Sequence, residues 1–153
     1  YLNELIEEAI SLSKSSDRWN QDIKIRKELD QDILIESDPD QIKQIFWNLF
    51  LNAADAMPDG GTLTISIQRL NSGPTSMVQI EIKDTGEGFS DKALSNLFVP
   101  FFTTKKGGSG LGLAMVKRIV TNLKGTIEGG NRPGGGAYVR VCLPISINSF
   151  KKA

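Results

Sequence analysis

The chain has 153 residues, with 18 Lys+Arg against 18 Asp+Glu, 39% hydrophobic and 24% charged residues, the size and balance of one globular domain. The neutral total excludes a global basic field for nucleic acid or anionic lipid, so any anion site must be built locally. The absence of histidine excludes His-dependent triads, His-ligated metals and a phosphohistidine on this chain, and the single Cys142 excludes an intrachain disulfide.

Residues 2–12 place Leu2, Leu5, Ile6, Ala9 and Leu12 at helical spacing, and the polar run "SKSSDRWNQ" ends the pattern. This start reads as the end of a helix whose body lies upstream, with a self-contained helix as the alternative. Being acidic and amphipathic, it is not expected to be a signal peptide. "DIKIRKEL" (22–29) and "DILIES" (32–37) read as two short strands with isoleucines at alternate positions. Asp38 as N-cap, Pro39 at the first helical position and Gln41 three residues after the cap predict a helix running to about Met57. Its apolar core within 45–54 is too short to span a bilayer, and "PDGG" stops it.

That helix carries an unusual stripe. Gln41, Gln44, Asn48, Asn52 and Asp55 recur at steps of three or four beside a broad apolar side. A solvated face usually carries Lys and Glu, which are better helix formers than Asn. Either the stripe faces water, or its amides are offered to a hard cation or a polar ligand. Mg²⁺ suits the second case, because it takes few protein ligands and fills its shell with water and phosphates.

"TLTISIQRL" and "SMVQIEIKD" alternate like antiparallel strands joined by "NSGPT". The second delivers Asp84 into "KDTGEGF", where Gly86 and Gly88 let the backbone turn and approach a ligand closely. A carboxylate there can accept from an exocyclic amine, which favours adenine over guanine; an ordinary Asp-Gly turn is the alternative. Residues 90–97 suggest a short helix. In "TTKKGGSGLGLAMV" (103–116), Gly108, Gly110 and Gly112 precede a helix whose N–H groups and positive dipole end face an anion, with Lys105 and Lys106 beside them. Neither a Walker P-loop nor a Rossmann context is present, so a phosphate-binding lid or a flexible surface loop remains. The helix shows Leu111, Met115, Ile119 and Leu123 along one side, and Gly125 closes it. "GTIEGG" and "GAYVRVCLP" are strand-like around "NRPGGG", with Cys142 expected as an inert core residue. Helices alternating with antiparallel strands predict an α+β, two-layer α/β sandwich with a mixed, mostly antiparallel sheet on about three helices.

In order, "NLFLNAADAM", "DTGEGF", "LFVPFFTTK", "GSGLGLAMV" and "GGGAYVRVCLP" resemble the N, G1, F, G2 and G3 boxes of two-component sensor histidine kinases, of the NtrB-like kind. The resemblance is to their catalytic ATP-binding domain, a GHKL type shared with gyrase, Hsp90 and MutL, and it covers roughly residues 20–145. It implies a Bergerat fold holding ATP under a mobile lid. Asn52 then becomes the Mg²⁺ ligand, and Asn48 its neighbour facing the phosphates. Asp84 reads the adenine amine; Gly86 and Gly88 shape the base pocket. Phe98, Phe101 and Phe102 anchor the lid, and Thr103, Thr104, Lys105, Gly108, Ser109, Gly110, Leu111, Gly112 and Leu113 surround the triphosphate. Asn52 and Lys105 are the residues implied in catalysis.

The resemblance also implies ATP and Mg²⁺ as cofactors and partners in an upstream dimerisation and histidine-phosphotransfer domain, in a homodimeric parent, and in a response regulator receiver domain. Residues 1–16 would end the dimerisation helix and linker, 17–148 form the catalytic domain and 149–153 a tail. The implied setting is cytoplasmic, with a membrane anchor on the parent protein left open, no nucleic acid, and this segment outside any membrane. Three departures matter. Asp55 stands where many relatives carry a phosphate-meeting Lys, so it is given no ligand role. Ala137 stands where the G3 box often has Thr. Asn48 stands where hydrolysing relatives carry Glu, and an amide cannot serve as a general base. The reading is therefore transfer to a histidine, with a GHKL ATPase, an anti-sigma-type serine kinase or a non-catalytic docking module as alternatives.

Overall fold

The structure, a computed structural model, describes residues 1–29, 32–72, 75–100 and 112–145. Nine elements follow one another: α1 (Leu2–Lys14), β1 (Ile23–Leu29), α2 (Pro39–Asp55), β2 (Gly61–Ser72), β3 (Thr75–Asp84), α3 (Asp91–Leu94), α4 (Gly112–Asn122), β4 (Thr126–Asn131) and β5 (Ala137–Pro144). The strands form one sheet in the order β1-β2-β3-β5-β4. β1 runs parallel to β2, and the other pairings are antiparallel. This is the expected mixed, mostly antiparallel sheet.

Period-2 alternation sends one row of each central strand toward the helices. Ile65 pairs with Ile82 and Ile82 with Val139, while Ile67, Ile80 and Val141 form the next row. These side chains share a single core with Leu2 and Ile6 of α1, Ile42, Phe46 and Leu49 of α2, and Val116 and Val120 of α4. The other sheet face is charged. Arg140 on β5 donates to Glu81 of β3 from Nε (2.9 Å) and Nη2 (2.7 Å), and also pairs with Glu128 of β4. One dry face and one wet face make two layers, as alternating antiparallel strands require.

α2 starts as its sequence dictates. Asp38 caps it by accepting from the Asp40 N–H (2.9 Å), Pro39 opens the first turn, and the helix ends at Asp55. Asp55 is bound by Arg18, whose Nε donates to Oδ1 at 3.0 Å while Nη2 pairs with Oδ2. The fork ties the segment after α1 to the last turn of α2. Because the Arg18 side chain is half in solvent, Asp55→Ala should lower stability by less than about 1 kcal/mol in urea unfolding. A loss of several kcal/mol would show that the pair does more than fasten the surface.

Three local expectations need correction. Residues 32–37 form no strand. Ile33 is buried, but the segment bonds by single contacts to different partners, from Leu2 N–H to the Ile33 carbonyl (2.9 Å) and from Glu36 N–H to the Ile145 carbonyl (2.9 Å), so no ladder forms. The short helix expected over 90–97 is present as a single turn, capped by Ser90 Oγ accepting from the Ala93 N–H at 3.1 Å. On α4 the buried pair is Val116 and Val120, whereas Met115 is 44% exposed. The left-handed residue closing α4 is Lys124 (φ 66°), not Gly125. Gly125 is required for proximity instead, since a Cβ there would lie 2.3 Å from the Cys142 carbonyl oxygen. Cys142 itself is half-buried, and burial raises its thiol above the usual cysteine range, which suits an unreactive side chain.

Candidate functional site

β3 ends by carrying Asp84 to the edge of the core, where it is buried. Its Oδ1 accepts from the N–H groups of Gly86 (2.9 Å) and Ala137 (3.2 Å). Two backbone donors on one carboxylate oxygen hold the group in a fixed plane. The loop that follows passes beneath the last turn of α2: the Glu87 N–H donates to the Ala56 carbonyl at 3.3 Å, and a Cβ on Gly86 would lie 2.2 Å from that same oxygen. Gly88 adopts φ +76°, a conformation that L side chains rarely take. Both glycines of D-x-G-x-G are thus needed, one for contact and one for conformation.

Asn52 lies on α2 one turn before that contact. It is half-buried and, with Ala56, lines a narrow cleft of about 30 Å³ whose other walls include Asp84, Gly88, Phe89 and Ala137. The cleft therefore joins the N-box amide, the β3 carboxylate and the first residue of β5. The whole polar stripe of α2, from Gln41 to Asp55, is half-buried and not a solvated face. Asn48 is placed differently: its amide nitrogen approaches Met115 Sδ of α4 at 3.7 Å. At the head of α4, Gly112 is exposed and a Cβ there would meet nothing within 4 Å, while Leu113 packs against the core. Phe98 is half-buried with Lys117 Nζ of α4 held 5.3 Å from its ring centre, a cation–π contact joining the F-box segment to that helix.

The implied roles of Phe101, Phe102, Thr103, Thr104, Lys105, Lys106, Gly108, Ser109, Gly110 and Leu111 lie outside the described residues. Among the described residues, no group of three or more His, Cys, Asp or Glu could hold a metal. An ion at this site would rest on Asn52 and on its own phosphate and water ligands, which matches the habits of Mg²⁺.

Sequence reasoning placed the turn between β4 and β5 but missed the contacts it makes. Arg132 Nη1 donates to the Asp84 main-chain carbonyl at 2.8 Å. Asn131 pairs with both backbone groups of Phe89, Oδ1 accepting at 2.7 Å and Nδ2 donating at 2.8 Å. Gly136 has φ +87°, and a Cβ there would lie 2.0 Å from the Asp84 carbonyl oxygen. The only signal in the sequence was the glycine run itself.

Comparison with known proteins identifies the family and the fold. The family described as histidine kinase-, DNA gyrase B-, and HSP90-like ATPase matches residues 37–147. The chain is 38% identical over 147 residues to sporulation kinase A of Bacillus subtilis, covering 94% of this chain and 23% of that protein. It is 38% identical over 112 residues to the sensor histidine kinase ZraS of Klebsiella oxytoca, covering 73% of this chain and 24% of the relative. The catalytic domain of histidine kinase ThkA, in a nucleotide-free form, superposes with a TM-score of 0.83 at 30% identity, covering 97% of this chain and 95% of that one. The same kinase in complex with the response regulator protein TrrA gives a TM-score of 0.75 at 29% identity, covering 94% of this chain and 40% of that one. The chain thus spans about a quarter of the length of these curated relatives. With the boxes in order, the sandwich in place and the family model matched over most of the sequence, the chain belongs to the histidine kinase-, gyrase B- and HSP90-like ATPases, as a catalytic ATP-binding domain of the sensor histidine kinase type.

Proposed function

We propose that this domain binds Mg·ATP in the α2–β3 cleft and passes the γ-phosphoryl group to a histidine on an upstream dimerisation and phosphotransfer domain, for relay to a response regulator. The observation that carries the reading is the cleft that joins Asn52 to Asp84. Asp84, held by two backbone N–H groups, accepts from the 6-amino group of adenine, while Gly86 and Gly88 bring the loop against the base. Asn52 would hold Mg²⁺ through its amide oxygen, the ion would supply positive charge against the transferring phosphoryl, and Lys105 would help to offset the same negative charge. The protein's contribution is positioning and electrostatics, as expected of phosphoryl transfer.

The acceptor lies on another segment, since the chain contains no histidine. Position 48 favours transfer over hydrolysis, because an amide cannot activate water as a carboxylate does. Residues 1–16, with α1 packed on α2, would be the route by which the upstream helices join residues 17–148. The relay to a receiver domain draws support from the ThkA–TrrA complex. No helix among the described residues is long and apolar enough to cross a membrane, and a cytoplasmic setting is part of the proposal.

The test mixes this chain with the separately produced upstream histidine-bearing segment and γ-labelled Mg·ATP. Acid-labile label on the histidine segment is expected. Label appearing only as inorganic phosphate would favour a GHKL ATPase. Acid-stable label would favour a serine kinase, and no turnover at all a docking module.

A further inference from the structure

The turn 131–136 between β4 and β5 grips the Asp84–Phe89 loop at both ends. At one end Arg132 donates to the Asp84 carbonyl (2.8 Å), the Ala137 N–H donates to Asp84 Oδ1 (3.2 Å), and Gly136 leaves no room for a side chain beside that carbonyl. At the other end Asn131 pairs with both backbone groups of Phe89, and Gly88 packs against its Oδ1, where a Cβ would lie 2.8 Å away. The turn is itself closed by the Arg132 N–H donating to the Gly136 carbonyl at 2.9 Å. The β3–β5 ladder stops at Lys83 and Tyr138, one residue short of Asp84. Where the ladder ends, side chains take over the work of strand pairing. A guanidinium donating to a carbonyl makes a charge-assisted bond, stronger than the neutral bond it replaces.

The geometry points to Arg132 and Asn131 as positioning residues for base selection: they hold Asp84 in the one orientation that accepts from a 6-amino purine and leaves a 6-oxo purine unpaired. Neither touches the base in this role; each acts through the loop. The inference rests on the reading of Asp84 as the adenine acceptor, and discrimination of this kind is sensitive to small displacements because a buried polar group left unpaired is costly.

The test measures the affinity of the whole chain for Mg·ATP and for Mg·inosine triphosphate, which differ at the 6-position in the way that matters. The wild type is expected to prefer ATP by at least about tenfold. Arg132→Met keeps the stem and removes the donor, and should bring the ratio below about threefold, with Arg132→Lys recovering most of it. Asn131→Ala should lower the ratio in the same direction and serves as the second probe if Arg132→Met does not fold. A merely structural role would weaken both nucleotides alike and leave the ratio unchanged. A wild-type ratio near one would sink the Asp84 reading itself, and the inference with it. A discriminating wild type whose folded variants keep the full ratio would overturn the positioning role while leaving Asp84 in place.

Discussion

Asn52→Ala should leave the fold standing and remove the Mg²⁺ dependence of nucleotide binding. Alanine is the better helix former, so the exchange favours α2 by up to about 0.7 kcal/mol before any lost contact is counted. What disappears is a half-buried amide in the wall of the cleft that contains Asp84. Among the described residues no cluster of acids, histidines or cysteines could take over the ion. Loss of the outer partners of metal ligands already costs about 10–100-fold in affinity or activity, and loss of a ligand itself should cost at least as much. Calorimetric titration of ATP, with Mg²⁺ and with chelator, separates the cases. The wild type should bind more tightly with Mg²⁺, and the variant should give one weak isotherm under both conditions. A variant that retained the Mg²⁺ effect would remove Asn52 from the metal site.

How far the sequence was legible depends on the range of each interaction. α2 could be read because its signals are local: the Asp38 cap, Pro39 in the first turn, and a polar stripe whose spacing alone marks one face. The central strands could be read because Ile65, Ile67, Ile80 and Ile82 alternate without interruption. The segment 32–37 alternates just as well, yet makes no ladder, since pairing requires a neighbour in register and its partners are Leu2 at the start of α1 and Ile145 just past β5. On α4 two overlapping stripes compete. The valines at 116 and 120 reached the core, and Met115 was turned outward toward Asn48. Lys124, not the neighbouring glycine, takes the left-handed position, while Gly125 lies in close approach to β5.

The candidate site divides in the same way. Asn52, Asp84 and the glycines beside Asp84 stand out as short motifs, and the structure brings them to one cleft. The grip on Asp84 was not visible, because Arg132 reaches a main-chain carbonyl 48 positions away and Asn131 reaches Phe89 across 42. Side chain to backbone bonds over that distance leave no periodic trace. The role of Asp55 was hidden for the same reason: its partner Arg18 lies 37 positions upstream, in a polar run that reads only as a helix stop.

Gly86→Ala should separate the two halves of the site. The glycine has no positive φ to protect, so alanine is excluded by space alone: its Cβ would lie 2.2 Å from the Ala56 carbonyl oxygen and 2.7 Å from the carbonyl carbon. Both obstacles are backbone at the end of α2, which cannot rotate away as a side chain could. The loop carrying Asp84 must therefore move off the helix carrying Asn52, breaking the bond from the Glu87 N–H to Ala56. Forced overpacking of this kind costs about 1–3 kcal/mol. Urea unfolding should show that loss, and ATP affinity should fall with it under the proposed roles of Asn52 and Asp84, since the two walls of the cleft are then parted. Gly112→Ala is the control. It sits in open space at the exposed head of α4, so alanine there should be neutral or stabilising by up to about 1 kcal/mol. Equal stability of the two variants would mean that the α2–loop contact does not set the width of the cleft.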